Sequence, residues 1–216
     1  MKHSVLVIGL GRFGSAAALE LMELGHEVMA IDSDEARVNE LAPDVTRALQ
    51  LDATDPAALR AVGAADFTHA IVAMSDGVEA SIFATMALKE LGVGNVIAKA
   101  GSRLHGAILE KAGADRVVFP EREMGLRVAH SFSVRDVMDY LDVAPEFGIV
   151  KVRPPASFVG KTFNDLALGT RLGLTPVALR RGTEVTVNPA PETTIQAGDE
   201  LILVGRDDRL EQLEPR

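Results

Sequence analysis

The sequence predicts an α/β fold, a doubly wound parallel sheet followed by a small α+β C-terminal domain, and three observations predict it. Short apolar runs rich in Val and Ile alternate with helical patterns through the first two-thirds of the chain. Those runs are continuously apolar, as expected of strands covered on both faces. After Phe119-Pro120 the pattern changes to one longer helical stretch and then, from Gly148, to strand-like segments separated by turn signals. At 216 residues the chain is long for one mean-sized domain and short for two large ones, which fits one full domain with an appendage.

The first strand is expected over Val5 to Ile8, and it runs into Gly9-Leu10-Gly11-Arg12-Phe13-Gly14. Gly9 permits the tight turn out of the strand, Gly11 lets the main chain approach a pyrophosphate, and Gly14 allows close packing of the helix that begins near Arg12. That helix start offers free N–H groups and a positive dipole end to phosphates. A second strand over Val28 to Ile31 ends on Asp32, about 20 residues past the glycines, where a carboxylate can accept both ribose hydroxyls. The same carboxylate repels a 2′-phosphate and so disfavours NADP. Strand, glycines, helix, second strand and acid in this order form a Rossmann-like fingerprint.

Further strands are expected over Arg47 to Leu51, Ala70 to Ala73, Val96 to Lys99 and Val117 to Phe119. Asp34 can cap the helix containing Val38 and Leu41, Asp55-Pro56 opens the one with Leu59 and Val62, and Asp76 precedes the one from Val78 to Leu91. Gly63, Gly92 and Gly113 stand where helices should stop. The helix from Val78 carries a wide apolar coat that includes Ile82, Phe83, Met86, Leu88 and Leu91; its own core accounts for much of it and an oligomer face for the remainder. Met124 to Leu141 reads as one longer or interrupted helix with Val134, Met138 and Leu141 on a stripe, and Val143-Ala-Pro-Glu146 as a junction. The expected divisions are a nucleotide-binding domain over 1–122, a crossover helix over 123–143 and a C-terminal domain over 144–216. In that last part strands are expected at Ile149 to Val152, Thr175 to Leu179, Glu184 to Val187 and Glu200 to Val204, with helices at Phe163 to Leu166 and from Asp207. Arg181-Gly-Thr183 and Gln196-Ala-Gly-Asp199 read as turns. A module of about 70 residues is marginal alone and wants a partner surface.

In such sheets ligands meet the carboxyl ends of the strands. The residues expected there are Ser33 and Asp34 after Asp32, Asp52-Ala53 after the third strand, Ala73-Met74-Ser75 after the fourth, Lys99 at the end of the fifth and Glu121 after the sixth. Arg12, directly after the second glycine, can reach a phosphate beyond the pyrophosphate. Glu121 beside a triphosphate makes sense when a cation lies between the two negative groups.

Other chemistry is poorly served. There is no Cys, which excludes disulfides, thiolate nucleophiles and cysteine-bound metals. His3, His26, His69, His105 and His130 fall in no metal-protease spacing, although His69 and His105 could face the ligand edge. Tyr140 is the one tyrosine and has no Tyr-x-x-x-Lys partner, so a proton relay for hydride transfer is not evident. The net charge of −9 argues against a sequence-independent grip on nucleic acid. No apolar stretch reaches the roughly 18 residues that a bilayer crossing needs, and Met1-Lys-His3 leads straight into the first strand without a signal pattern. The cofactor motif is thus present while the catalytic apparatus of an oxidoreductase is not evident. The glycine motif alone leaves an NAD-dependent dehydrogenase or NAD(H)-sensing protein as a reading, and a redox-sensing DNA regulator after it.

Val7-Ile-Gly-Leu-Gly-Arg-Phe-Gly14, Gly25-His-Glu-Val28 leading to Asp32, Leu88-Lys-Glu-Leu91 and Gly113-Ala-Asp-Arg-Val-Val-Phe-Pro-Glu-Arg-Glu-Met-Gly125 together resemble the regulator-of-potassium-conductance family, in its single-module form from bacterial Ktr and Trk potassium-uptake systems. Gly160-Lys-Thr-Phe-Asn-Asp-Leu166, Asn188-Pro-Ala-Pro191 and Ala197-Gly-Asp-Glu-Leu-Ile-Leu-Val-Gly205 resemble that family's C-terminal domain, so the resemblance covers essentially the whole chain. It implies a binding module without turnover, a cytoplasmic homodimer assembling into an octameric ring, held at the inner face of the membrane by a potassium-translocating subunit. It also implies ATP and ADP as ligands of opposite effect, with NAD the other nucleotide such a site admits. By position, Asp32 would hold the ribose, Arg12 and Lys99 the phosphates, and Glu121 a divalent cation, Mg or Ca, near the ATP γ-phosphate. Met124 to Leu141 would match the crossover helix that joins subunits. Asp34 stands where the family often has Asn. Gly169, beside Thr170-Arg171, stands where some members have a basic residue for cyclic di-AMP, so that ligand is not carried over.

Overall fold

The computed structural model describes residues 2–74, 77–133, 137–210 and 213, with the side chains of 130–133 excepted. Ser75, Asp76, Val134 and the His130 side chain, all named above, lie outside the described residues. The chain divides into two compact units, Met1–Glu121 and Arg122–Arg216.

In the first unit β1 (Ser4–Ile8), α1 (Arg12–Glu23), β2 (Glu27–Asp32), α2 (Glu35–Leu41), β3 (Arg47–Gln50), α3 (Pro56–Ala61), β4 (His69–Val72), α4 (Val78–Glu90), β5 (Asn95–Lys99), α5 (Arg103–Lys111) and β6 (Arg116–Val118) follow one another. Among the described residues the strands form a six-stranded parallel sheet in the order β3-β2-β1-β4-β5-β6. The central strands β1 and β2 are apolar on both sides because each side is covered. Leu6, Ile8 and Ile31 pack with Leu59, Leu88 and Leu109 from α3, α4 and α5, while Val5, Val7 and Val28 pack with Ala18, Val38 and Leu41 from α1 and α2. The strand order reverses between β1 and β4, so the turn after Ile8 opens at the switch point where doubly wound sheets bind ligands. Asp34 and Asp55 cap α2 and α3 through their side chains, and Gly63, Gly92 and Gly113 have positive φ just past helix ends. Gly77 stands at the amino cap of α4 without a side-chain cap.

The second unit departs from the sequence expectation at its start. The helix α6 (Pro120–Ser133) ends well before Leu141, and Val137–Ala144 is a strand, β7. Val143-Ala-Pro-Glu146 is not a junction; Pro145 and Glu146 form the tight turn between β7 and β8 (Phe147–Val152), with Glu146 at φ 65°. Irregular register within β7 disturbs the two-residue period of its side chains, which is why its apolar residues imitate a helical stripe. Met138 and Leu141 are exposed on that strand. The unit continues with α7 (Phe163–Leu166), α8 (Leu168–Leu172), β9 (Thr175–Arg181), β10 (Glu184–Val187), β11 (Glu200–Arg206) and α9 (Asp207–Leu210). The described strands make an antiparallel sheet in the order β10-β9-β11-β8-β7. Its core joins Tyr140, Val150, Val152, Leu201 and Leu203 to Phe163, Leu166, Leu168 and Leu210. The Tyr140 hydroxyl donates to the Asp207 carboxylate at 2.8 Å, and Gly148 is the residue that leaves room for the Tyr140 ring. Gly169 lies on α8, where its missing Cβ would meet open space.

Candidate functional site

The glycine turn is built by three different constraints. Gly9 adopts φ 90°, and a Cβ there would press on the Ala73 carbonyl carbon and the Met74 N–H nitrogen, both at 3.0 Å. A Cβ on Gly14 would collide with the Gly9 carbonyl oxygen, so α1 can lie against the turn only without one. Gly11 is different: it is the amino cap of α1 at φ −69°, and nothing lies within 4 Å of where its Cβ would be. Two glycines are therefore needed by the fold, whereas the third leaves main chain open to an approaching group. No side chain caps α1 and no acid occupies its first turn, so its amino end keeps the positive pole that suits a phosphate. The residues present fit a pyrophosphate-bearing nucleotide. Arg12 is exposed at the first position of α1, and Phe13 follows it half-buried.

Asp32 ends β2 and is 7% exposed. Its Oδ2 accepts the Leu10 backbone N–H at 2.6 Å and its Oδ1 accepts the Asp34 N–H at 2.9 Å. Arg37 Nη1 stands 3.6 Å from Oδ2, and its Nε 3.6 Å from Asp34. The carboxylate therefore ties the glycine turn to the end of β2, a duty the sequence reading did not see. Ser33 is exposed beside it, its carbonyl accepting from the Gln50 side chain. Asp34 is occupied as the α2 cap.

The remaining edge residues fall where the strand ends put them. Asp52 is exposed after β3, and its Oδ1 accepts the Thr54 N–H at 2.9 Å and the Thr54 hydroxyl at 2.7 Å. Those bonds hold its carboxyl below the usual aspartate range. Ala53 and Ala73 are buried, and Met74 is half-buried where the chain leaves β4. Lys99 closes β5 and is 6% exposed. Its Nζ lies 2.6 Å from Glu121 Oε1 and 6.0 Å from the centre of the Phe13 ring. The Lys99 hydrogen bond holds the Glu121 carboxyl below the usual glutamate range. Glu121 itself is exposed. Thus the two charges expected for phosphate and cation meet each other, one at the end of β5 and the other in the first turn of α6 that follows β6. Among the described residues no cluster of three or more His, Asp or Glu could enclose a metal. A cation at Glu121 would take its other ligands from phosphate and water, as Mg²⁺ commonly does.

His69 does not reach this edge. It is the first residue of β4, at the amino side of the sheet, its ring 4.7 Å from that of His3. His105 does lie near the edge, buried on α5 with its Nε2 2.8 Å from Ser81 Oγ.

Fold and site define a Rossmann-like nucleotide-binding unit joined to a smaller antiparallel unit. Residues 5–120 match the TrkA-N domain and residues 148–216 the TrkA-C domain. The chain is 40% identical over 216 residues to the Ktr system potassium uptake protein C of Bacillus subtilis, covering 100% of this chain and 98% of that protein. It is 36% identical over 208 residues to the Ktr system potassium uptake protein A of the same organism, covering 96% and 94%. Its fold matches the RCK domain of GsuK, with a TM-score of 0.69 at 20% identity over 99% of this chain and 47% of that one. In the GsuK channel bound to NAD the TM-score is 0.67 at 20% identity, over 99% and 39%. The chain thus spans less than half the length of the GsuK chains. It belongs to the TrkA-N/TrkA-C, or regulator-of-potassium-conductance, family. Among the described residues no helix is long and apolar enough to cross a membrane.

Proposed function

We propose that this chain is a cytoplasmic, non-enzymatic regulatory subunit of a potassium-uptake system, peripheral at the inner face of the membrane, that senses ATP against ADP and gates potassium flux. The observation that carries the reading is the Lys99–Glu121 pair at the carboxyl edge, next to an open glycine turn, in a chain aligned from end to end with Ktr potassium uptake proteins. Asp32 accepts ribose hydroxyls with the lone pairs left by Leu10 and Asp34. Gly11, Arg12 and the amino end of α1 face the phosphates, and Ser33, Asp52 and the Ala73–Met74 segment border the nucleoside. Lys99 exchanges the Glu121 carboxylate for a phosphate oxygen, which leaves Glu121 available to a divalent cation. That cation would screen the carboxylate from a γ-phosphate, a group ADP lacks, and this difference lets two nucleotides favour two shapes.

Assembly belongs to the same reading: a homodimer, and four of these in an octameric ring, bound to a membrane potassium-translocating subunit. Phe83 is 56% exposed and Met86 42% exposed on α4, a face that a second copy would cover. Multi-angle light scattering at micromolar concentration should return a dimer at minimum and eight copies in the full assembly. A single copy at that concentration contradicts it.

An NAD(H)-sensing protein is the second reading. It is favoured by Asp32, which suits NAD equally, and by the description of a GsuK channel of this fold as bound to NAD. Purification without added ligand, followed by mass spectrometry of the released nucleotide, separates the two. ATP or ADP supports the first reading, NAD or NADH alone the second. Potassium flux in vesicles carrying the membrane subunit should then differ between ATP and ADP; equal flux would contradict gating.

A further inference from the structure

The buried histidine on α5 sits in a directional hydrogen-bonded chain. His105 Nδ1 accepts the Gly101 backbone N–H at 3.3 Å, and Nε2 lies 2.8 Å from Ser81 Oγ. Ser81 Oγ in turn donates to the Val78 carbonyl at 2.8 Å. An amide N–H only donates, so Nδ1 must carry a lone pair. The Ser81 proton is committed to Val78, so Oγ accepts from an Nε2–H. The neutral Nε2–H imidazole satisfies every bond in the chain; the other tautomer and the imidazolium each set two donors against one another.

Both ends of this chain belong to the ligand edge. Gly101 comes two residues after Lys99. Val78 opens α4, whose amino end has no side-chain cap of its own and whose first turn is closed by the Ser81 N–H on the Gly77 carbonyl at 2.9 Å. The segment leaving β4 for that helix begins at Ala73 and Met74, the residues packed on Gly9. Hydrogen bonds through Gly101, His105, Ser81 and Val78 therefore join the residue two positions after Lys99 to the first turn of α4.

We propose that neutral His105 is a positioning residue for the nucleotide site, tying the first turn of α4 to the β5–α5 connection, so that its protonation releases them and weakens nucleotide binding in acid. This rests on the nucleotide reading given above. The ring's surroundings suit the role. Ser81 faces it from α4 and Gly101 from the β5–α5 connection, while Val117 and Phe119 lie against the neighbouring Gly106. Glu79 and Arg103, charged residues at the starts of α4 and α5, are exposed, and Lys99 is engaged with Glu121. Burial is the cause that pushes the imidazole below its ordinary value, the direction that keeps it neutral. For a base with a lowered value, the tether is complete above the ordinary histidine value of about 6.5 and is lost as pH falls below it toward the lowered value.

The test is calorimetric titration of ADP into the full-length protein and into His105→Gln between about pH 5 and pH 8, the range in which histidine changes charge. Glutamine offers an amide donor and a carbonyl acceptor and does not titrate. ADP's own phosphate titrates identically in both experiments, so the difference between the proteins isolates the histidine. At the alkaline end His105→Gln should bind ADP no more tightly than wild type. At the acid end wild type should have lost on the order of 5-fold to 50-fold more affinity than His105→Gln, an ordinary coupling between sites. Ser81→Ala, which cuts the chain at its other side, should bind ADP more weakly at the alkaline end and lose the extra acid dependence; it serves as well if His105→Gln fails to fold. If wild type binds ADP with the same pH slope as the folded variants, the positioning role is overturned while the site stands. If wild type binds neither ADP, ATP nor NAD at any pH, the reading of the site fails and takes this one with it.

Discussion

Gly14→Ala is expected to lower stability by about 3 kcal/mol or more and to abolish nucleotide binding. The new methyl would run into the Gly9 carbonyl oxygen and stand 3.1 Å from the Ala73 Cβ. Neither obstacle is a flexible side chain, so α1 or the turn itself must move, and overpacking that displaces backbone belongs to the large end of single-residue effects. Gly11→Ala is the informative contrast. Its Cβ enters open space at an ordinary φ, so the melting temperature should stay within a degree or two of wild type on the scale of about 4 °C or less per kcal/mol for a chain of this size. Nucleotide affinity should nevertheless fall, because the methyl occupies the surface proposed for the approach of main chain to phosphate. Thermal melts and calorimetry on both variants check this. A Gly14→Ala protein as stable as wild type would contradict the packing account.

Asp32→Ala carries the second large effect. The carboxylate receives two backbone N–H groups, from Leu10 and Asp34, at a nearly buried position. Hydrogen bonds to a charged group contribute roughly 1.5–3 kcal/mol each. Removing them frees the glycine turn from β2 as well as removing the proposed ribose acceptor. ATP and ADP should weaken together, by about 100-fold or more, since roughly 1.4 kcal/mol is a factor of ten. Asp32→Asn keeps the size and one oxygen for Leu10, so it should retain most of the stability and still lose affinity for both nucleotides. Unchanged affinity in Asp32→Asn, measured by calorimetry, would remove the ribose role and leave Asp32 as a structural tie.

What could be read from the sequence follows the range of each constraint. Gly9, Gly14 and Asp32 were legible because a turn, a close helix approach and a strand end are set by residues near one another in the chain. Strands β1, β2, β4, β5 and β6 were legible because each is a short run carrying Val or Ile, whereas β3, Arg47–Gln50, has neither. The Lys99–Glu121 contact was not, because it depends on β5 and β6 lying side by side in the sheet. Likewise the second duty of Asp32 appears only when the turn folds back on β2. His69, which could have faced the ligand edge, lies at the other because it begins β4, and the side of a sheet to which a residue belongs follows from whether it begins or ends its strand. In β7 the period itself misled: Met138 and Leu141 fall at helical spacing with Val134, while the register irregularities break the alternation that marks a strand. The buried Ser81–His105 bond joins two helices across 24 residues of sequence and carries no local signature.

The central claim, that Lys99 and Glu121 turn the presence of a γ-phosphate into a signal, is tested most directly by titrating ATP and ADP into the wild-type assembly and into Glu121→Gln, each with and without Mg²⁺. Glu121 is exposed and its substitution need not disturb the core, so the variant should fold and bind ADP nearly as wild type does. In wild type Mg²⁺ should strengthen ATP over ADP, and in Glu121→Gln that advantage should shrink by about 1–3 kcal/mol, the usual size of a coupling between sites. Equal loss of ATP and ADP affinity in Glu121→Gln, or a wild type whose choice between the two nucleotides is indifferent to the cation, would contradict it.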